Sequence, residues 1–294
     1  MLPIRPSRWL AAGVAATLLA FVAACNADKT ATAPQNPALT AAEASSLGEA
    51  MTADAQSELD GVTLSGGGFV PGMAGPFGTP TTMCVPTISP SPVVDTDKDG
   101  VPDSIRVTFP GCAFAMGSEA DTIRGSIDVA DPTPTTADRD LRLRFLDFAR
   151  IEVANGIRRS IVINGMRQAL RDANAITLQD SSLKTVYTFG DGGTATSVRD
   201  WTAKFTADVA GSIKSDAPLP SGNLDINGTA SWTHGTNTYS LSVTTGPPLH
   251  YNSSCTVRPP FDSGKLTLVV TRNSTTSTVT IVFTACGQFT VTRS

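Results

Sequence analysis

From about residue 140 onward the chain is written in a period-two pattern, and that pattern confines it to antiparallel β architecture. Leu141, Leu143 and Phe145 alternate with Arg142 and Arg144; Leu224, Ile226, Gly228, Ala230 and Trp232 alternate with Asp225, Asn227, Thr229 and Ser231. Tyr239, Leu241 and Val243, then Leu266, Leu268 and Val270, then Val279, Ile281 and Phe283 alternate in the same way with mostly serine and threonine. Each run predicts a half-buried strand with its apolar face inward. Residues 272–276 read as a short polar hairpin connection. No helical period lies between the strands, so the crossover helices of a parallel sheet are missing. The predicted class is therefore all-β, an antiparallel meander over residues 81–294 that forms a curled sheet, open barrel or sandwich. That length supports one sizeable core. Only 6% of residues are aromatic, and Trp201, Phe205 and Trp232 fall within the strand pattern, so they are expected in the core. An outer-membrane barrel would need aromatic girdles that this composition does not supply.

One helix is expected before the sheet. Thr40-Ala41-Ala42-Glu43 has the form of a capping box, and Leu47, Ala50, Met51, Ala55 and Leu59 follow at helical spacing. Asp60-Gly61 suits its C-terminal end, which places the helix in 39–60, docked on the body by a modest apolar stripe. Residues 61–80 hold seven glycines and three prolines and read as an irregular loop. Residues 25–38 carry no apolar period and read as a flexible tether.

Residues 1–24 have the layout of an export signal: Arg5 and Arg8, an apolar run from Trp9, then small residues before Cys25. The run is too short to favour a permanent spanning helix. The string Phe21-Val22-Ala23-Ala24-Cys25 resembles the lipobox of bacterial lipoproteins, which implies that Cys25 becomes the lipidated first residue. Asn26, rather than aspartate, follows it, and the resemblance then implies an outer-membrane anchor facing either the periplasm or the exterior. Without residues 1–24 the balance is 20 basic against 26 acidic groups, so no clustered basic face for a nucleic acid is indicated.

Five cysteines leave one without a mate, and Cys25 is the one with another role. In an oxidising compartment the remaining four, Cys84, Cys112, Cys255 and Cys286, predict two disulfides, with the local pairs Cys84–Cys112 and Cys255–Cys286 preferred among three connectivities. A thiolate zinc site is disfavoured, because no Cys-x-x-Cys spacing is present and His234 and His250 stand apart. Phe109-Pro110-Gly111-Cys112 and Phe283-Thr284-Ala285-Cys286 also echo one another, as two clipped hairpins or as convergence on one geometry.

The one constellation with chemistry is Asp95-Thr96-Asp97-Lys98-Asp99-Gly100-Val101-Pro102-Asp103. Carboxylates at positions one, three and five, glycine at six and a carbonyl at seven are the arrangement that wraps oxygens around calcium. Arg106 stands where an EF-hand has its bidentate glutamate, so this is not an EF-hand. The run resembles the DxDxDGxxD calcium loops of thrombospondin type 3 repeats and of bacterial surface proteins. That resemblance implies a structural calcium held by Asp95, Asp97, Asp99 and Asp103, with the Val101 carbonyl; the alternative is a solvated acidic turn.

Catalytic signatures are missing. His234 precedes Gly235 at an expected hairpin tip, His250 follows Gly246-Pro247-Pro248 in an expected turn, and neither accompanies a Gly-x-Ser-x-Gly elbow. Gly190-Asp191-Gly192-Gly193 reads as a turn rather than a phosphate cradle. Joined in order, the lipobox, tether, helix, acidic loop, Gly111-Cys112, Arg124-Gly125-Ser126-Ile127-Asp128-Val129, Phe145-Leu146-Asp147-Phe148 and Ile163-Asn164-Gly165 resemble uncharacterised β-rich lipoproteins of Gram-negative bacteria. That family implies an envelope β-domain with no known activity. The expected function is a non-catalytic, membrane-anchored domain that binds or scaffolds protein, glycan or lipid. The alternatives are a lipid carrier similar to outer-membrane lipoprotein chaperones and an envelope hydrolase. A large apolar cavity between sheet and helix would mark the carrier, and a filled core the binding module.

Overall fold

The computed structural model describes residues 38–66, 86–116, 119–154, 156–172, 174–214 and 217–294. Residues 1–24 and Cys25, Cys84 and the glycine-rich stretch 67–80 lie outside the described residues. Helix α1 spans Ala41–Gly66, and among the described residues thirteen strands follow. They are β1 (Thr87–Ser89), β2 (Ser104–Met116), β3 (Glu119–Ala130), β4 (Leu141–Ala154), β5 (Ile157–Arg171), β6 (Ala175–Thr188), β7 (Thr194–Ala207), β8 (Gly222–His234), β9 (Asn237–Thr245), β10 (Leu249–Tyr251), β11 (Phe261–Arg272), β12 (Thr275–Ala285) and β13 (Gln288–Arg293).

All pair antiparallel in one sheet, nearly in chain order, with β1 and β13 at its two ends and β9 inserted between β8 and β11 beside the short β10. The expected meander is thus observed, as a single sheet. Asn273 and Ser274 both have positive φ, the conformation of a tight two-residue hairpin turn, and they join β11 to β12 where the polar connection was expected.

A row of bulges bends this sheet. The register steps between Pro110 and Cys112, Arg124 and Ser126, Phe145 and Phe148, Asn164 and Met166, and Asp180 and Leu183, on successive strands β2 to β6. At each step a residue takes positive φ: Gly111, Gly125, Asp147, Gly165 and Ser182. Extra residues in register across neighbouring strands add twist and curvature along one line. At Gly125 the need for glycine is steric as well, since a Cβ would lie 2.8 Å from the Phe148 Cα and closer still to the Asp147 carbonyl. Asp147 and Asn164 lock the fold line by exchanging hydrogen bonds of 2.9 and 3.1 Å.

The curled sheet wraps α1, which touches β5–β8 on one side and β12 and β13 on the other. Leu47, Met51, Ala55, Leu59 and Val62 pack into one core with Leu178, Phe205, Trp232, Leu241, Leu268 and Ile281. The predicted capping box forms: the Thr40 hydroxyl accepts from the Glu43 N–H, and the Glu43 carboxylate accepts from the Thr40 N–H at 2.8 Å. Its other oxygen accepts from the Tyr239 hydroxyl at 2.5 Å and the Asn237 amide at 2.8 Å, so the cap is also a clamp to β9. Burial alone would raise the Glu43 carboxyl, but the bonds from Tyr239, Thr40 and Asn237 hold it down to about 2.

Three boundaries differ from expectation. Ala38 belongs to the body rather than the tether, being buried with its N–H on the Ser277 hydroxyl at 3.1 Å. The helix runs past Asp60-Gly61 to Gly66. Gly61 is not a helix stop: it is where the helix passes against Arg167, whose guanidinium would collide with any Cβ there. Finally, the helix is enclosed rather than docked by one stripe, and Thr52, Asp54, Gln56, Ser57 and Glu58 are as buried as its apolar residues.

Candidate functional site

The acidic loop lies between β1 and β2, and its turn is built by Lys98 and Gly100, both at positive φ. Backbone N–H groups orient its carboxylates. Asp95 accepts from the N–H of Lys98 at 2.8 Å and Gly100 at 3.0 Å, Asp97 from Asp99 at 3.2 Å, and Asp99 from Val101 at 2.7 Å. Carboxylate oxygens of Asp95, Asp97 and Asp99 gather within 4.8 Å of one another, a spacing that one hard cation could share. The fourth carboxylate faces elsewhere: Asp103 receives the Thr96 N–H at 2.8 Å and the Thr96 hydroxyl at 2.6 Å, which together hold it below the ordinary range. Val101 stays in the loop, packed against the edge of the core.

A second acidic loop, unremarked in the sequence, stands beside the first. Register Ser104↔Ala130 sets the start of β2 against the end of β3, so Asp103 and Asp131 leave the sheet together, and the Asp131 N–H donates to the Pro102 carbonyl at 3.1 Å. The backbone N–H of Arg139 reaches across to Asp99 at 2.6 Å. Asp131 is 6% exposed, and its Oδ2 is buried with no hydrogen-bond partner; the Asp97 Oδ2 is likewise buried and unpartnered. Desolvation, with the charges of Asp99, Asp131 and Asp95, raises the Asp97 carboxyl. Desolvation and the charges of Asp138, Asp131 and Asp99 do the same to Asp140.

The largest concentration of charge is inside the sheet. Arg167 donates from Nε to Asp180 Oδ1 at 2.6 Å, from one terminal nitrogen to Asp180 Oδ2 at 2.9 Å and to Glu58, and from the other to the Ser57 carbonyl at 3.1 Å. Arg199 donates to Asp180 at 2.8 Å, Asp54 at 2.6 Å, Thr185 at 2.6 Å and Glu58 at 3.1 Å. The Trp201 indole N–H lies 3.1 Å from both Glu58 Oε1 and Asp180 Oδ2, and the Tyr187 hydroxyl donates to Asp54 at 2.5 Å. Three carboxylates face two guanidinium groups, and burial without a full set of counter-charges favours one extra proton. It belongs on Glu58, because Oε2 is the one oxygen of the three carboxylates that no donor reaches. Burial pushes Glu58 up to about 8, while Arg167 and Arg199 overcome the burial of Asp180 and hold it well below the ordinary range. A smaller cluster beside it pairs Arg150 with Asp121 at 2.9 Å and sets Arg150 and Arg258 each 3.5 Å from Asp60.

Neither histidine serves as a base. His234 closes β8, where its ring stacks on Trp232 at 5.3 Å between centroids rather than standing free at a tip. His250 lies in β10, not in a turn, with Nδ1 2.7 Å from Asp262 and Nε2 3.0 Å from Asp208. Both nitrogens are occupied by carboxylates, so none remains to activate a serine, and the nearby Ser221 and Ser253 hydroxyls bond one another at 3.0 Å. Gly190–Gly193 forms the β6–β7 turn as expected, closed by the Phe189 N–H on the Gly193 carbonyl.

Cys255 and Cys286 are disulfide-bonded, joining the β10–β11 connection to the β12–β13 turn across 31 residues. Cys112 is buried in β2. A cleft of about 80 Å³ opens between α1 and β4–β6, with Glu49, Arg150 and Arg159 on its polar wall and Phe189 on its apolar one. Small-molecule sites commonly hold roughly 300–1,000 Å³. Among the described residues no helix is long and apolar enough to cross a membrane. The chain matches no family model, no curated protein and no solved structure.

Proposed function

We propose that this chain is a cell-envelope lipoprotein, anchored through Cys25, whose β-domain is a non-catalytic binding or scaffold module with a calcium-braced loop. The observation that carries the reading is the closed accounting of its interior polar groups. Asp54, Asp180, Arg167 and Arg199 bond one another, Glu58, Tyr187 and Trp201 rather than facing a cleft, and His250 has no free nitrogen. Helix α1 fills the concave side of the sheet with Leu47, Met51, Leu59 and Val62, which supports a binding or scaffold role over an acyl-chain carrier. Calcium is supported by the convergence of Asp95, Asp97 and Asp99, and the anchor by the signal-like segment ending at Cys25.

The anchor is tested by expressing the full chain and its C25A variant in a Gram-negative host fed labelled palmitate. The unsubstituted protein is expected to take up label and sediment with membranes, and C25A to lose both. An unlabelled, freely soluble parent protein would remove the lipoprotein reading.

A further inference from the structure

We infer that the cation site is shared between two loops and that Asp131, outside the acidic motif, supplies its fourth carboxylate in place of Asp103. The inference rests on the calcium reading of the first loop and adds to it the residue that completes the cage. Calcium takes six to eight oxygens, more than the three gathered carboxylates of Asp95, Asp97 and Asp99 supply with one oxygen each. The ninth position of the motif is spent on Thr96, through both of its oxygens. Asp131 is the replacement that the topology brings up. It sits opposite Asp103 at the head of the β2–β3 pair, its Oδ1 accepts from the Thr133 N–H at 2.7 Å, and its Oδ2 is buried without a partner.

An unpartnered carboxylate oxygen on a residue only 6% exposed is costly unless a cation or a donor meets it. Asp97 Oδ2, on the facing loop, has the same deficit. Asp131 is near enough for its charge to act on Asp97, so the two deficits belong to one acidic volume. In the printed positions Asp131 stands just outside the 4.8 Å group of the first loop, so cation binding draws the two loops together. The Arg139 N–H on Asp99 already ties the loops from the other side.

The experiment is calorimetric titration of Ca2+ alone into the full chain in detergent, with thermal melts in chelator and in Ca2+, for the parent, D131N, D97N and D103N. D131N and D97N are each expected to weaken Ca2+ at least tenfold and to abolish the Ca2+-induced rise in Tm. D103N is expected to stay within threefold of the parent. In chelator D131N is expected to melt no lower than the parent, because the amide keeps the Oδ1 acceptor and puts a donor where an unpaired charge stood. D131E, which keeps the charge but moves it by one methylene, supplies the second variant and should also bind at least tenfold more weakly. Parent-like affinity in D131N or D131E with loss in D97N would overturn the role of Asp131 and leave the loop reading standing. No heat and no Tm shift in the parent would overturn the loop reading itself.

Discussion

Replacing Glu58 by glutamine should stabilise the protein at alkaline pH, although Glu58 lies between two arginines. Glu58 holds its proton up to about 8 in the folded chain against an ordinary 4.5. The folded state therefore binds more protons than the unfolded state between those values, and stability falls as pH rises through that window. At about 1.4 kcal/mol per pH unit the accumulated loss approaches roughly 4–5 kcal/mol. Below 4.5 both states are protonated and the loss vanishes; above about 8 it levels off. Glutamine reproduces the protonated acid: its oxygen can accept from Arg167, Arg199 and Trp201, and its amide can donate to Asp180. E58Q should thus melt within a few degrees of the parent near pH 4.5. It should melt higher at pH 9, by about 10–20 °C for a domain of this size. Thermal unfolding followed by circular dichroism from pH 4.5 to 9 checks this, and the difference between the two proteins cancels the other titrating groups, Asp54 and His250 among them. If E58Q were instead less stable by about 3–5 kcal/mol at pH 9, as when a buried ion pair is broken, Glu58 would be ionised and the proton would sit elsewhere.

Gly61→Ala should destabilise despite the roughly 1 kcal/mol that alanine ordinarily adds in a helix, since the new Cβ meets the Arg167 guanidinium and lies 3.0 Å from Leu178 Cδ1. A net loss of about 1–3 kcal/mol in denaturant unfolding is expected, and a gain would show that the helix can move away from Arg167. For His250, the hydrogen bond to Asp208 first, and that to Asp262 beside it, raise the imidazole above its ordinary 6.5. Its contribution is fully present below 6.5 and is lost as pH rises through the folded value. H250Q should accordingly lower Tm most near pH 5–6, with the gap to the parent closing by pH 9; a gap that does not change with pH would refute the charged bridge.

The strand pattern could be read because one face of each strand meets a dry interior, and alternation survives wherever a strand runs unbroken. The runs in β8, β9, β11 and β12 stand where the pattern put them. In β5 and β6 the bulges shift the phase midway, so Ile163 and Arg167 both point inward four residues apart while Met166 faces out. The bulge residues were visible as Gly111, Gly125, Asp147 and Gly165, but a single glycine or aspartate in a strand does not announce that its neighbours bulge on the same line. Helix α1 was misjudged in length and setting for a related reason. A helix packed against one surface shows one apolar stripe, whereas a helix wrapped by a sheet has no face left for water, and its polar residues read as solvent-facing unless their partners are known.

The partners were nevertheless written in phase with the core. Asp54 and Glu58 continue the spacing of Leu47 and Met51, and Arg199 shares its strand face with Trp201, Ala203 and Phe205. A charge that keeps the apolar phase on a strand, matched by an opposite charge that keeps it on a helix, is the mark of a buried pair rather than a solvated face. Applied to this chain, that reading brings Asp54, Glu58 and Asp180 against Arg167 and Arg199. The leftover negative charge then requires the bound proton on which the E58Q experiment turns.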